Sequence, residues 1–292
     1  MHAAEAVAHG AATVVNAIST GRGAAIGVDL WTKAKVELDQ SQSEITALIH
    51  GEPTEKTDMM ATVVRNVLKR HGVGGRFGAH VETRSNIPIA RGMKSSSVAA
   101  NAVALATTAA LGKQFGDKEI LEDAVEAAIK SGVTITGAFD DACASYYGGL
   151  IVTDNKKRRI LKRQKISKEY SVIFHVPPEK SYTANADLGE FRKLARISEL
   201  AHRMALDGHC WEALTLNGLA HSVVLGWEPK VAIEAMASGA VAAGLSGKGP
   251  ATVAIVRTPQ VSNVRSAMSQ FEGQLIEAKL NNSKARVVAR HT

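Results

Sequence analysis

The chain of 292 residues exceeds the usual size of one domain, and its 45% hydrophobic and 22% charged side chains compose an ordinary globular protein, not a disordered or fibrous one. Aromatic residues make up 4%, too few for a stacking platform on single-stranded nucleic acid, and two cysteines, Cys143 and Cys210, exclude a disulfide framework or a cysteine zinc site. The net charge of +7 invites a polyanionic partner, but residues 156–168 (KKRRILKRQKISK) hold eight basic and no acidic side chains, which leaves the rest of the chain near neutral. This tract follows Gly148-Gly149 and Leu150-Ile151-Val152, so it reads as a solvated hairpin or connector before it reads as a phosphate-binding tract.

From the start of the chain, Glu5 and His9 interrupt the first residues and no basic segment precedes an apolar one, so no export signal is expected. The longest run of small apolar residues, 98–111, contains Asn101, Thr107 and Thr108 and falls short of the ~20 residues that span a bilayer. A cytoplasmic location fits both. The first 50 residues alternate as strands do, most clearly over 25–38, with glycines at 21, 23 and 27 for turns. Met59, Met60, Val63, Val64, Val67 and Leu68 recur at helical spacing, and Gly72, Gly74 and Gly75 end that helix. Residues 77–83 return to a strand pattern. A turn containing Pro88 leads into an Ala/Val/Leu helix over 96–111, and a further helix after Asp117 sets Ile120, Leu121, Ala124, Val125, Ala128 and Ile129 on one face. Beyond the basic tract, YSVIFHV at 170–176 is a buried-strand pattern stopped by Pro177-Pro178. Helices are expected near 188–206, 210–225 and 229–239. A glycine loop, a strand over 251–256, a helix near 260–272 and a last strand near 285–289 complete the pattern. Strands separated by helices, without internal repeats, predict an α+β protein of two halves, 1–165 and 166–292, each a sheet layered with helices.

Three segments carry chemistry. Pro88-Ile89-Ala90-Arg91-Gly92-Met93-Lys94-Ser95-Ser96-Ser97 runs a glycine turn and three hydroxyl residues straight into a helix N-terminus. Free N–H groups at the positive end of a helix dipole favour a phosphate, to which serine hydroxyls add donors or Mg²⁺ ligands. A plain N-cap by Ser95 or Ser96 is the alternative, though it accounts for one serine of three. In TGAFDDA, Asp140 and Asp141 follow Gly137, as a base, a metal site or a solvated Asx turn. In the loop GLSGKGP, Gly244, Ser246, Gly247 and Gly249 allow a ligand close to the backbone or form a tight helix-to-strand turn.

In this order the three segments resemble the motifs of the GHMP kinase superfamily. Its phosphate motif P-x-x-x-G-L-x-S-S-A is similar to the serine loop, with Met93 in place of Leu and Ser97 in place of Ala. Within the superfamily HGAATVVNAISTGRGAAIGVDL, GMKSSSVAANA, TGAFDDACASYYGG and the stretch from LNGLAHSVVLG to AAGLSGKGP resemble the archaeal shikimate kinases. The resemblance implies an N-terminal half like domain 2 of ribosomal protein S5 and a ferredoxin-like C-terminal half. It implies ATP-dependent phosphorylation of the 3-hydroxyl of shikimate, with residues 88–97 and the glycine loop binding ATP and Asp140 as the catalytic residue. Mg²⁺ would be held by Ser96 and by a glutamate of the helix before the catalytic segment, Glu126. One departure stands out: where the family's first motif holds Lys or Arg and often Glu-His, this chain has Ala11 after His9-Gly10. Another small-molecule kinase of the superfamily, homoserine kinase in particular, shares GLSGKGP. An RNA-binding module using the basic tract is the reading from a different class, and it leaves Asp140 and the serine loop without a role.

Overall fold

The protein was analysed as a computed structural model, which describes residues 2–113, 116–180 and 188–291. Two sheets form, and the first has seven strands. Its central pair is long: β1 (His2–Val15) and β2 (Arg22–Asp39) run antiparallel. On its other edge β2 pairs first with β5 (Leu150–Asp154), through residues 22–26, and then with β4 (Gly78–Ser85), through residues 32–39. β3 (Ile45–Ile49) lies parallel to β4, and β6 (Arg159–Gln164) pairs outside β5, so the basic tract is an edge hairpin, as its flanking glycines suggested.

Four helices cover this sheet. α1 (Asp58–Arg70) buries the expected stripe of Met59, Met60, Val63, Val64, Val67 and Leu68. α2 (Ser95–Ala110) is buried on nearly every side, lying on β1 and β2 between α1, α3 (Asp117–Lys130) and α4 (Phe139–Tyr147). Its alanines make this possible, because short side chains let several elements approach one helix. α4 corrects the Asx-turn alternative: TGAFDDA opens a helix, with Asp140 and Asp141 in its first turn.

The second sheet is built from β7 (Tyr170–Val176), β8 (Ala240–Leu245), β9 (Thr252–Arg257) and β10 (Gln274–Lys279) in the order β10-β7-β9-β8, all antiparallel. Helices α5 (Leu188–Lys193), α6 (Ala195–Asp207), α7 (Cys210–Val224) and α8 (Lys230–Ala237) join β7 to β8, and α9 (Val261–Met268) joins β9 to β10. A β-α-β-β-α-β path in this order is the expected ferredoxin-like arrangement. β7 alternates between two cores: Val172, Phe174 and Val176 enter the main one, while Ile173 joins Ala254, Val256, Val264 and Met268 under α8 and α9. At Gly218 of α7 a Cβ would lie 2.5 Å from Gly244 Cα, so the helix rests directly on β8 at two glycines.

The expected halves exchange one strand. β11 (Arg286–His291), read from the sequence as part of the second half, pairs with β1 and completes the first sheet, through partners such as Ala3 and His291.

One polar contact inside the helical layer is large enough to test. The Arg70 guanidinium grips buried Asp123 of α3, with Nε 3.0 Å from both carboxylate oxygens and Nη2 2.9 Å from Oδ1. Arg70→Met strands that carboxylate, and urea unfolding is expected to show a loss of roughly 2–4 kcal/mol, most of it recovered when Asp123→Asn is added.

Candidate active site

The loop 88–94 is wound by left-handed residues: φ is +56° at Ala90, +80° at Gly92 and +65° at Lys94, and buried Met93 anchors it. The Lys94 carbonyl accepts the first helical bond, from the Val98 amide at 3.2 Å, which makes Lys94 the N-cap of α2. No side chain caps this end, so the alternative of Ser95 or Ser96 as a cap is corrected, and the first-turn amides of Ser95, Ser96 and Ser97 are left for a ligand. Pro88 and Ile89 line a cavity of about 410 Å³ on the outer side of the loop, and Arg91 there donates from Nη1 to the carbonyls of Pro177 and Glu179.

The glycine loop docks onto this one across 154 residues of sequence: Ser246 Oγ donates to the Gly92 carbonyl at 2.9 Å and the Ala251 amide to the Arg91 carbonyl at 3.1 Å. Asn16, in the turn after β1, donates from Nδ2 to the Gly247 carbonyl at 2.8 Å, and its own amide is held by Asn217 of α7 at 3.0 Å. Trp227 Nε1 secures the Lys248 carbonyl at 2.7 Å. Gly247 and Gly249 stay in the loop with Ser246. Gly244 does not: it sits inside β8, and the contact with Gly218 explains its missing side chain.

Asp140 and Asp141 are both buried, at 3% and 5% exposure. Asn155, just past β5, donates from Nδ2 to Asp140 Oδ1 at 2.7 Å and is itself fixed by Thr153 Oγ1 at 2.6 Å. Lys94 reaches from the phosphate loop to Asp141, Nζ to Oδ2 3.0 Å, while Asp141 Oδ1 is buried with no hydrogen-bond partner among the described residues. A Cβ at Gly247 would sit 2.8 Å from that ammonium. The three motifs therefore meet at one point.

Charge in this pocket is unbalanced in both directions. Burial, and then the neighbouring Asp141 charge, push the Asp140 carboxyl up to about 7, with Lys94 and the Asn155 bond opposing them. Burial together with the Lys94 charge brings the Lys248 ammonium down to about 8. Two lysines whose charges repel each other, with uncapped amides next along the chain from Lys94, suit a polyanion, and a buried carboxylate of raised proton affinity can accept a proton from an alcohol.

Glu126, the expected metal carboxylate, is turned to Arg158, 3.3 Å from Nη1, and nothing brings it to Ser96. Among the described residues no group of three His, Cys, Asp or Glu side chains is placed to hold a metal ion. Asn155, Asn16 and Asn217 escaped the sequence reading; each lies outside the three motifs, and no local pattern marks an amide that braces a distant loop.

Known proteins resemble this chain in sequence and in fold. Residues 58–149 match the model of the GHMP kinases N terminal domain. The shikimate kinase of Methanosarcina mazei is 41% identical over 282 residues, 96% of this chain and 95% of its own. That of Methanothermobacter thermautotrophicus is 40% identical over 284 residues, 96% of each. Among solved structures, homoserine kinase from Cytophaga hutchinsonii superposes with a TM-score of 0.76 at 16% identity, covering 98% of this chain and 97% of its own. Mevalonate kinase from Methanococcus jannaschii gives 0.75 at 15%, covering 97% and 99%. These likenesses, far apart in sequence, establish a shared fold.

Proposed function

The chain belongs to the GHMP kinase family, in its branch of archaeal-type shikimate kinases, and from that membership we propose how its residues divide the transfer of the γ-phosphoryl group of ATP to the 3-hydroxyl of shikimate. The observation that carries the reading is the meeting of an uncapped helix N-terminus, a lysine pair and a buried carboxylate pair drawn from three distant segments.

Phosphoryl transfer asks a protein for position and for charge. The amides of Ser95, Ser96 and Ser97, with Lys94 and Lys248, receive the phosphates; the cavity beside Pro88 and Ile89 takes the nucleoside end. Asp140, its carboxylate set by Asn155, accepts the proton of the attacking hydroxyl or holds that hydroxyl in line. The donor set fits Mg²⁺: the Ser96 hydroxyl and the unpartnered Asp141 Oδ1 would hold it, and Glu126 would first have to leave Arg158. When bound, the ion neutralises charge developing on the phosphates.

A rigid ring with secondary hydroxyls sorts acceptors, since polar groups built around it stay unpaired with an acyclic acid, at ~1–3 kcal/mol each. In a coupled ADP-release assay, kcat/KM for shikimate is expected to exceed that for homoserine or mevalonate by at least ~10³. Comparable turnover of homoserine, or no ADP release with shikimate, overturns the acceptor assignment.

A further inference from the structure

An acceptor that carries a carboxylate needs a cation near Asp140, and the arginines and lysines that flank the motifs differ in how they are placed. Arg91 is committed to the carbonyls of Pro177 and Glu179. Arg84 pairs in register with Lys33 of β2, ten residues along that strand from Gly23 and so roughly 30 Å away. Lys248 lies in the glycine loop, where burial and then the Lys94 charge lower its ammonium to about 8. Arg22 is exposed at the start of β2.

Lys156, the first residue of the basic tract, is placed differently. Its stem lies over Gly21: a Cβ built there would be 2.5 Å from Lys156 Cε and 2.6 Å from Cγ. Two residues on, a Cβ at Gly23 would be 2.5 Å from Asp140 Oδ2. The lysine stem and the catalytic carboxylate thus rest on backbone positions that are at most about 7 Å apart. Asn155 ties them together, its amide donating to the Gly21 carbonyl at 2.8 Å and its side chain to Asp140 at 2.7 Å. Lys156 is exposed and its ammonium has no ion-pair partner among the described residues. In the same turn the Ser19 hydroxyl is buried without a hydrogen-bond partner among the described residues.

Resting on the shikimate reading, we propose that the turn 17–21 and Lys156 form the acceptor subsite, with the Lys156 ammonium taking the substrate carboxylate while Asp140 faces the hydroxyl to be phosphorylated. The head of the basic tract then serves specificity, while further along it Arg158 pairs with Glu126, Lys162 donates to the Leu206 carbonyl and Arg163 lies over the Tyr147 ring.

The test uses the full chain with Lys156→Met, Lys156→Arg and, as control, Lys157→Met, on shikimate and on its methyl ester. Lys156→Met is expected to raise KM for shikimate about 10- to 100-fold, the worth of one charge-assisted bond, and to leave KM for ATP unchanged. Lys156→Arg recovers most of the loss and Lys157→Met stays within about twofold of wild type. On the ester, wild type and Lys156→Met converge, because the partner charge is gone. Wild-type KM in Lys156→Met, or an equal penalty on acid and ester, overturns the subsite. Wild-type enzyme that releases no ADP with shikimate overturns the acceptor reading and the subsite with it, which is a different result from wild-type turnover that Lys156→Met leaves intact.

Discussion

Asp140→Asn is expected to lower kcat by at least ~10²-fold with little change in ATP affinity, since general-base catalysis contributes 10² to 10⁴ and the variant leaves the proposed phosphate-binding groups in place. The same change is expected to stabilise the fold at neutral pH. Asp140 has an ordinary value of 3.8 and is raised to about 7 in the folded chain, so folding favours its protonated form. That favourable contribution is complete below the unfolded value and lost as pH rises through the folded one, which leaves the native state strained by a buried charge at pH 8. Urea unfolding should show the variant's advantage over wild type growing between pH 5 and pH 8, by on the order of 2–4 kcal/mol. In wild-type enzyme the acid limb of kcat/KM should fall near 7 and not near 4, because the free enzyme must carry Asp140 ionised. Near-wild-type turnover in folded Asp140→Asn removes this residue from the chemistry and moves attention to Asp141.

Gly92→Val should damage nucleotide binding by prying two loops apart. With φ at +80°, a β-branched residue is strained there, and its Cβ would lie 2.5 Å from the Ser246 carbonyl oxygen. Relief requires the glycine loop to retreat, which breaks the bonds from Ser246 Oγ to Gly92 and from the Ala251 amide to Arg91. A loss of roughly 2–4 kcal/mol in stability and at least ~10-fold in ATP affinity is expected by calorimetric titration. Gly247→Ala should cost less stability, because its Cβ would meet the far end of the flexible Lys94 side chain. An unchanged ATP titration for Gly92→Val detaches both loops from the nucleotide.

Much of this was legible from local pattern. The stripe of α1, the length of α2, the edge hairpin and the alternation of β7 are written in short-range periodicity, and the serine loop announces an anion site by composition. What stayed hidden depends on partners far along the chain. Asn155 carries no signal beyond its place before a lysine run, yet it donates to the Asp140 carboxylate. Lys94 is expected with the ATP-binding residues 88–97, and only the fold shows its ammonium against Asp141. Gly244 read as loop glycine because glycine spacing cannot tell a backbone that approaches a ligand from one that approaches a helix. The alternation of RVVARH marks a strand but not the sheet it will join.

The return of β11 to β1 has a consequence for biosynthesis. A chain leaving the ribosome can lay β1 against β2 early, but the outer edge of β1 stays unpaired until the last strand emerges. Through most of translation the nascent first sheet exposes a row of free amides and carbonyls next to an alanine-rich core, the kind of edge that captures other strands. The glycine loop follows the serine loop by about 150 residues, so the proposed nucleotide site also has to wait for it. A sealed first sheet and the docking of the glycine loop on the serine loop therefore both wait on residues made long after β1, and a chain cut short before them leaves a sticky fragment.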